Sequence, residues 1–227
     1  MYTVKLPLIL QPFFCPDLTR LGKNHDGGYL IDHHSIDNTK TLVSLGVDND
    51  WSFEKQFLEI NDCDFVAYDS NVDVNQSQYQ NFFVDRKQHK KINVGYGVGN
   101  ITPKEIFENI STPCFLKCDI EGNEYAILRD LIGFSRWCSG MVMEFHDINV
   151  NDNFNKLTDF IGKITPKLVH IHVNNYMYYK KSGQVIPDVL ELSFSSNPNV
   201  TVVDQIDLPN GLDMPNNVND QEFRIVF

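Results

Sequence analysis

A short apolar run that stops abruptly on acidic residues constrains this chain more than any other stretch. Residues 114–118 read CFLKC, which is typical of a strand buried in a parallel sheet. Asp119 and Glu121 follow, and Gly122 permits a tight turn before helical spacing begins at Glu124. Because ligands bind in the crevice beyond the carboxyl ends of parallel strands, acidic side chains placed there face a binding site. The alternative is that they are solvated residues of an acidic first helical turn.

The first glycine turn of the central region follows another strand-like segment. Residues 41–47, TLVSLGV, predict a strand that ends at Gly46, with Asp48 just beyond it. A helix over residues 53–60 is predicted next, because its apolar residues fall on one face. A dinucleotide-binding loop needs three glycines and this turn has one, so a pyrophosphate-binding loop is not predicted.

A second strand-like segment also ends on an acidic residue. Residues 64–68, DFVAY, are followed by Asp69. An acidic residue at the tip of the second strand, about twenty residues after a glycine turn, is placed to accept hydrogen bonds from ribose hydroxyls. The alternative is an aspartate that starts a turn before Ser70.

Histidines and further carboxylates gather at the ends of later strands. Glu144 and His146 lie on the same side of a predicted fifth strand. Residues 167–175 read KLVHIHVNN, in which His170 and His172 share one face. A lone histidine on a strand is more often structural than a ligand, but three histidines and several carboxylates at one sheet edge favour a functional site.

Paired glycines near the amino terminus leave two interpretations open. Gly27 and Gly28 cannot lie inside a helix, and they allow the backbone to approach a ligand closely. The other interpretation is a hairpin turn between two short strands.

Charge and cysteine content exclude several classes of protein. The chain has 30 acidic and 19 basic residues and a net charge of −11, which disfavours nucleic-acid binding because that depends on clustered Lys and Arg. Five cysteines without a Cys-x-x-Cys pair favour reduced, buried thiols over a zinc site. The sequence has no leader-like amino terminus and no apolar run of about twenty residues, so we expect a cytoplasmic protein without a membrane span.

Residues 117–124, KCDIEGNE, resemble the K-x-D-x-E-G-x-E signature of FkbM-type class I S-adenosylmethionine-dependent methyltransferases. The resemblance spans roughly residues 20 to 227. Other segments occur in the same order in that family, namely DGGYLI at 26–31, SLGVDND at 44–50, EFHDI at 144–148, HIHVNN at 170–175 and LELSF at 190–194.

The resemblance implies an α/β fold with a Rossmann-like, doubly wound sheet of about seven strands, mostly parallel, with an antiparallel carboxyl-terminal edge. It also implies a methyltransferase domain over residues 41–227, with an amino-terminal segment over 1–40 that covers the cofactor site. The cofactor is S-adenosylmethionine, and the residues expected to bind it are Gly27, Gly28, Gly46, Asp48, Asp69, Ser70 and Asp119.

The implied reaction is methyl transfer to a hydroxyl of a sugar, which we expect to be a nucleotide-linked sugar or a surface-polysaccharide precursor. The sulfonium methyl is already electrophilic, so the enzyme must align the two reactants and remove the hydroxyl proton. His146 is our first choice as the base, with Asp119 and Glu121 as further catalytic residues. The alternative is Mg²⁺ or Mn²⁺ held by Asp119, Glu144 and His172, which would acidify the hydroxyl.

The acceptor is expected at the other side of the cleft, under a loop over residues 174–187 that carries three tyrosines. A nucleotide-linked sugar would need a local cation for its pyrophosphate, for example Lys180. The residues expected to contact the acceptor are Arg20, Lys23, His170, Asn174, Asn175 and Tyr176.

Two other functions stay open at this point. A methyltransferase acting on an amine or a phosphoramidate has the same sequence pattern as one acting on a hydroxyl. A non-methylating nucleotide-binding domain, such as an NAD-dependent oxidoreductase, requires a glycine-rich pyrophosphate loop that this chain lacks.

Overall fold

The computed structural model describes residues 2–181 and 184–227. The strands in this part of the chain are β1 Tyr2–Lys5, β2 Leu18–Gly22, β3 Gly28–Asp32, β4 Thr41–Leu45, β5 Asp64–Tyr68, β6 Lys87–Lys90, β7 Cys114–Cys118, β8 Cys138–Phe145, β9 Lys167–Val173, β10 Tyr178–Lys181, β11 Gln184–Pro187, β12 Leu190–Ser195 and β13 Phe223–Val226. The α-helices are α1 His33–Asp37, α2 Ser52–Ile60, α3 Ser77–Phe82, α4 Pro103–Phe107, α5 Glu124–Phe134 and α6 Asn153–Lys163, with 3₁₀ turns at Leu8–Leu10 and Ser135–Trp137.

A seven-stranded sheet in the order β6-β5-β4-β7-β8-β12-β9 forms the centre of the molecule. The strands from β6 to β8 pair in parallel, whereas β12 pairs antiparallel with both β8 and β9. The predicted doubly wound, mostly parallel sheet is therefore confirmed. Its antiparallel strand lies one position in from the edge rather than at the edge itself.

The register of the central strands brings their carboxyl ends level. Leu45 of β4 lies opposite both Tyr68 of β5 and Cys118 of β7, and Cys118 lies opposite Met143 of β8. The residues that follow these strands consequently emerge at one edge of the sheet, as the sequence predicted for acidic strand ends.

Both faces of the sheet are covered because its strands are apolar on both sides. On one face, Phe115 of β7 packs against Phe53 and Phe57 of α2, with 5.1 Å between the ring centres of Phe57 and Phe115. On the other face, Leu116 belongs to a cluster with Leu128 of α5 and with residues of α6. Burying each of these large side chains contributes about 1.5–3 kcal/mol.

Two strands differ from what the sequence predicts. Residues 91–94 predict a third strand, but the strand occupies Lys87–Lys90 at the edge of the sheet, where every second residue is exposed and the sequence has no apolar run. Ile92 and Val94 instead pack against the core from a loop, with one bridge between Val94 and Ile101. Residues 223–227 predict a last strand at the antiparallel edge of the sheet, but β13 pairs in parallel with β1 and does not join the central sheet.

The predicted acceptor loop over residues 174–187 contains a hairpin formed by β10 and β11. Residues 182–183, which follow β10 in the sequence and belong to the predicted loop, lie outside the described residues. Gly27 and Gly28 likewise belong to a hairpin, in which β2 and β3 pair antiparallel with Gly22 opposite Gly28. Of the two interpretations of the paired glycines, the structure bears out the hairpin.

The five cysteines are buried and unpaired. The thiols of Cys114 and Cys138 lie 3.8 Å apart on neighbouring strands. Among the helices described, none combines the length and the apolarity needed to cross a bilayer.

Gly46, in the turn after β4, occupies a position that a residue with a side chain could not fill without strain. Its φ is +78°, and an added Cβ would collide with the carbonyl oxygen of Asp119. Gly46→Ala is therefore expected to lower the free energy of unfolding by about 2–4 kcal/mol, which combines left-handed strain with overpacking. Gly99 is the matched control, because its φ is +83° and nothing lies within 4 Å of its added Cβ. Urea denaturation should give Gly99→Ala a loss of only about 1–2 kcal/mol; equal losses in the two variants would contradict the packing argument.

Candidate active site

The carboxyl ends of the central strands border a cleft with two lobes. The larger lobe, about 470 Å³, lies between the turn after β7 and the loop at residues 93–100. The smaller lobe, about 290 Å³, extends to the β2–β3 hairpin. Gly46, Asp69, Asn71, Asp119 and Glu121 line both lobes. The two lobes therefore form one continuous site.

Asp69 braces the turn after β4. Its Oδ2 accepts hydrogen bonds from the backbone N–H groups of Val47 and Asp48 at 2.9 and 2.8 Å, and its Oδ1 accepts one from Asn71 at 2.7 Å. A carboxylate has about four acceptor positions. Oδ1 therefore retains room for one more donor from the cleft.

The other residues expected to bind the cofactor differ in position. Gly27 and Asp48 line the smaller lobe. Gly28 is not among the described residues that line either lobe. Because Gly28 has no Cβ, the side chain of Arg20 and the carbonyl of Lys23 can pack against it. Ser70 donates to Asn93 at 2.6 Å and is also absent from both linings.

Lys117 forms a buried ion pair beneath the smaller lobe. Its Nζ lies 3.4 Å from Glu54 Oε1 and donates to the carbonyl of Gly46 at 3.2 Å. Ser44 donates to the same oxygen of Glu54 at 2.8 Å. Burial alone would lower the pKa of Lys117, but the charges of Glu54 and Asp119 raise it, so the ammonium stays charged.

Asp119 and Glu144 form a close carboxylate pair at the ends of β7 and β8. The hydroxyl of Tyr29 lies 3.2 Å from Glu144 Oε2 and 3.4 Å from Asp119 Oδ2. The side-chain amide of Asn174 donates to Glu144 Oε1 at 2.9 Å. Burial raises the pKa of Asp119, and the charges of Glu121 and Glu124 add to that effect. Burial, together with the charge of Asp119, raises the pKa of Glu144 well above its usual value.

His146 faces this pair from the end of β8. Its Nε2 is 3.9 Å from Asp119 Oδ1, 3.9 Å from Glu144 Oε1 and 3.7 Å from Glu121 Oε2. Its Nδ1 lies 3.2 Å from Glu124 Oε1. Burial lowers the pKa of His146, but the bond to Glu124 and the surrounding carboxylates outweigh burial and raise the pKa to about 9.

Glu121 and Glu124 take opposite positions in the turn after β7. The side chain of Glu121 is 87% exposed, and its φ of +55° turns the backbone sharply at the cleft. Glu124 is fully buried, and its Oε1 accepts from the backbone N–H groups of Ile120 and Gly122. The interpretation of Glu124 as a solvated residue at the start of the helix is therefore wrong. Its side chain is buried and forms hydrogen bonds with the turn and with His146.

The structure does not bring His172 into the predicted metal set. Its Nδ1 lies 3.1 Å from Glu191 Oε2 and its Nε2 lies 3.2 Å from Glu222 Oε2. Among the described residues, the group with metal-ligand spacing at this edge is Asp119, Glu144 and His146. Both ring nitrogens of His172 face carboxylates and are not available to a metal ion. The prediction of His172 as a metal ligand is therefore wrong, and His146 is the histidine that lies beside Asp119 and Glu144.

The residues expected to contact the acceptor separate into two groups. His170 and Asn175 are buried and hold the carboxyl-terminal segment, residues 207–222, through Asp213 and Asn217. Asn174 contacts Glu144, as described above, and belongs to the site. Tyr176 is 56% exposed and lies in the loop that precedes β10.

The basic residues expected to hold a pyrophosphate are engaged elsewhere. Arg20 donates to the carbonyl of His25 at 2.6 Å, within the hairpin. Lys23 lines the smaller lobe but pairs with Asp50 at 2.9 Å. Lys180 donates to the hydroxyl of Tyr2 at 2.8 Å.

Several residues of the site escaped the sequence analysis. Tyr29 lies in the DGGYLI segment, and Lys117 opens the K-x-D-x-E-G-x-E signature, but neither was assigned a role. Glu54 looked like an ordinary residue of an amphipathic helix. Glu54 can be buried because it pairs with Lys117, which lies 63 positions later on β7, the strand against which α2 packs.

A larger cavity, about 950 Å³, lies beside β5, β6 and α4. Its described lining contains no predicted site residue and none of the carboxylate pair, the glycine turn or the buried lysine. Chemistry and not volume therefore identifies the two-lobed cleft as the candidate active site.

The mostly parallel seven-stranded sheet, with acidic residues after successive strands and a cleft at their carboxyl ends, is the arrangement expected of a class I methyltransferase. The model of the methyltransferase FkbM domain matches residues 24–178. This chain belongs to the FkbM methyltransferase family. The family uses S-adenosylmethionine as its methyl donor, and no curated protein matches the chain significantly.

Three solved structures are similar to this chain at low sequence identity. The delta-N METTL16 MTase domain is 12% identical with a TM-score of 0.40, and the match covers 70% of this chain and 74% of that one. The fibrillarin pre-rRNA processing protein of Methanococcus jannaschii is 11% identical with a TM-score of 0.41, covering 71% and 68%. The precorrin-6y C5,15-methyltransferase of Geobacter metallireducens is 12% identical with a TM-score of 0.37, covering 71% and 86%.

Proposed function

We propose that this protein transfers the methyl group of S-adenosylmethionine to a hydroxyl oxygen of a carbohydrate. The observation that carries the proposal is the cluster of three carboxylate side chains where the two lobes meet. Asp119, Glu121 and Glu144 converge there around His146. A hydroxyl that enters this junction meets groups able to take its proton.

The residues of the two lobes fit the methyl donor. The larger lobe offers apolar contacts from Val94 and Ile120 together with amide groups, which suits a nucleobase, and Asp69 Oδ1 is free for a ribose hydroxyl. The smaller lobe carries charges of both signs, with Lys23 and Lys117 beside several aspartates. Such a lobe suits the carboxylate and ammonium of an amino acid. The donor supplies an electrophilic methyl group, and the protein aligns it with the acceptor.

Glu121 is the proposed proton acceptor. It lines both lobes, its carboxylate is exposed, and it can pass the proton on to solvent. His146, our first choice from the sequence, is a poor base in this arrangement because both of its ring nitrogens face carboxylates, which leaves neither nitrogen open to the acceptor hydroxyl.

The acceptor is proposed to be a neutral sugar, offered as a glycoside or a polysaccharide precursor. Asn71, which lines both lobes, provides an amide group of the kind that hydroxyl-rich ligands require, and the exposed Tyr176 lies in the loop that precedes β10. A nucleotide-linked sugar would require Lys23 to leave Asp50, since Arg20 and Lys180 already have other partners.

An amine acceptor is the second candidate, because a lobe rich in carboxylates also attracts an ammonium group. The deciding experiment incubates the protein and S-adenosylmethionine with neutral methyl glycosides, the matched amino-sugar glycosides and the matched nucleotide sugars. Nuclear magnetic resonance of the product locates the new methyl group on oxygen or on nitrogen. Methylation confined to nitrogen would contradict the hydroxyl proposal.

Binding of the donor gives a simpler prediction. S-adenosylmethionine or S-adenosylhomocysteine at a hundred times its dissociation constant should stabilise the protein by about 2.7 kcal/mol and raise the melting temperature by roughly 5–10 °C. Differential scanning fluorimetry measures the shift. Asp69→Asn should lose most of it, whereas Asp159→Asn, an exposed change on α6, should retain it. Absence of a shift with both nucleosides would contradict the assignment of the cleft.

A further inference from the structure

The carboxylates of Asp119 and Glu144 and the imidazole of His146 surround one point at the ends of β7 and β8. One potential ligand atom from each lies within 4.8 Å of the others. We infer that these three side chains bind one divalent cation, Mn²⁺ or Mg²⁺. The cation site itself is independent of methyl transfer, whereas its catalytic role rests on the proposed function.

The spacing within the group is that of ligands around an ion. His146 Nε2 is 3.9 Å from one oxygen of each carboxylate, well beyond the hydrogen-bond range of about 2.7–3.2 Å. An octahedral ion with bonds of about 2.1 Å keeps adjacent ligands roughly 3.0 Å apart and opposite ligands roughly 4.2 Å apart. The observed separations fall between these values, so small side-chain shifts suffice to seat the ion.

The carboxylates have too few hydrogen-bond donors within the described part of the chain. Asn174 serves Glu144 Oε1, and Tyr29 has a single proton for Glu144 Oε2 and Asp119 Oδ2 together. Asp119 Oδ1 has no donor at hydrogen-bond distance among the described residues. Because Glu144 is 94% buried, its carboxylate carries a charge only when a positive group lies close to it. A cation at the centre of the group provides that partner for both carboxylates.

The histidine is oriented as metal-binding histidines are. Its Nδ1 faces Glu124, a buried carboxylate outside the group, which is itself fixed by two backbone N–H groups. This arrangement leaves Nε2 directed at the carboxylate pair. Metal-ligating histidines regularly use their second nitrogen for such a bond, because it fixes the ring and its tautomer.

The ligand set selects the kind of ion. Two carboxylate oxygens and one imidazole nitrogen suit Mn²⁺ and Mg²⁺, and the open lobe beside them leaves positions for an acceptor oxygen and water. The ion lowers the pKa of a bound acceptor hydroxyl. The proton passes to Glu121, the oxygen forms its bond to the methyl carbon, the carbon–sulfur bond breaks, and S-adenosylhomocysteine is released.

Titration of the EDTA-treated protein with Mn²⁺ tests the site, with electron paramagnetic resonance measuring free Mn²⁺ in the absence of the methyl donor. We expect one Mn²⁺ per chain, displaced by excess Mg²⁺. Asp119→Asn, Glu144→Gln and His146→Gln should each weaken binding at least tenfold. The matched control, Asp159→Asn, should bind as the parent does. Circular dichroism verifies that each variant is folded.

The outcomes separate the cation site from the reaction. No stoichiometric binding at millimolar Mn²⁺, or binding that folded Asp119→Asn and His146→Gln retain, overturns the site. If the parent protein binds one Mn²⁺ per chain and these variants do not, the cation site is supported, whether or not a glycoside is methylated. A failure to methylate any glycoside counts only against the proposed function. Methyl transfer at the full rate by the EDTA-treated protein overturns the catalytic role of the ion and leaves the proposed function standing.

Discussion

Replacing Glu121 with glutamine is expected to lower the turnover number for methyl transfer by about 10²–10⁴-fold, the usual contribution of a positioned general base. The amide keeps the size of the side chain but cannot take up the acceptor proton. Because the carboxylate is 87% exposed, the change should cost no more than about 0.5 kcal/mol of stability. Release of S-adenosylhomocysteine, with the best acceptor from the glycoside panel, measures the rate.

The affinity for the methyl donor distinguishes a catalytic from a binding role of Glu121. Isothermal titration calorimetry with S-adenosylhomocysteine should give dissociation constants within about threefold of each other for the parent and Glu121→Gln, since a loss of about 0.6 kcal/mol or less is expected for an exposed side chain. Glu108→Gln, an exposed change at the residue that follows α4, is the control for the substitution itself. Full turnover in Glu121→Gln would reject this residue as the base.

Lys117→Met is expected to be the most destabilising single change in the site, at about 3–5 kcal/mol. The substitution leaves Glu54, which is fully buried, without its positive partner. In a chain of 227 residues this corresponds to a fall in melting temperature on the order of 10 °C. Calorimetry or denaturation monitored by circular dichroism measures it.

A second substitution tests the cause of that loss. Lys117→Met combined with Glu54→Gln should recover most of the stability, because glutamine is neutral and still accepts the hydrogen bond from Ser44. Lys163→Met, which breaks an exposed pair with Asp159 on α6, should cost less than about 1 kcal/mol. If the double variant were as unstable as Lys117→Met, the loss would come from packing and not from the stranded charge.

The central strands were predictable because each is a short apolar run that ends on a turn residue. The predicted bounds 114–118 and 64–68 match β7 and β5, and the parallel register then places Gly46, Asp69 and Asp119 together. β6 was misplaced because an edge strand has one solvated face, so its sequence, KQHK, lacks an apolar run.

Side-chain partners were harder to predict than strand ends. His146 and His172 look alike in the sequence, each near a strand end and two residues from another polar group. Their surroundings differ because β12 inserts between β8 and β9 and places Glu191 beside His172. The burial of Glu54 and Lys117 depends on a contact between α2 and β7, and no local pattern encodes that contact.

The carboxyl-terminal segment, residues 207–222, meets the β2–β3 hairpin over a very long chain separation. Asn216 donates to Asp26, and the carbonyl of Pro215 meets His25, each pair about 190 residues apart. Contacts of such separation form late, because the intervening chain must first give up its freedom. Lys23, Asp26 and Gly27 of the hairpin line the smaller lobe, so this side of the acidic pocket gains its long-range support only after residues 207–222 have been synthesised.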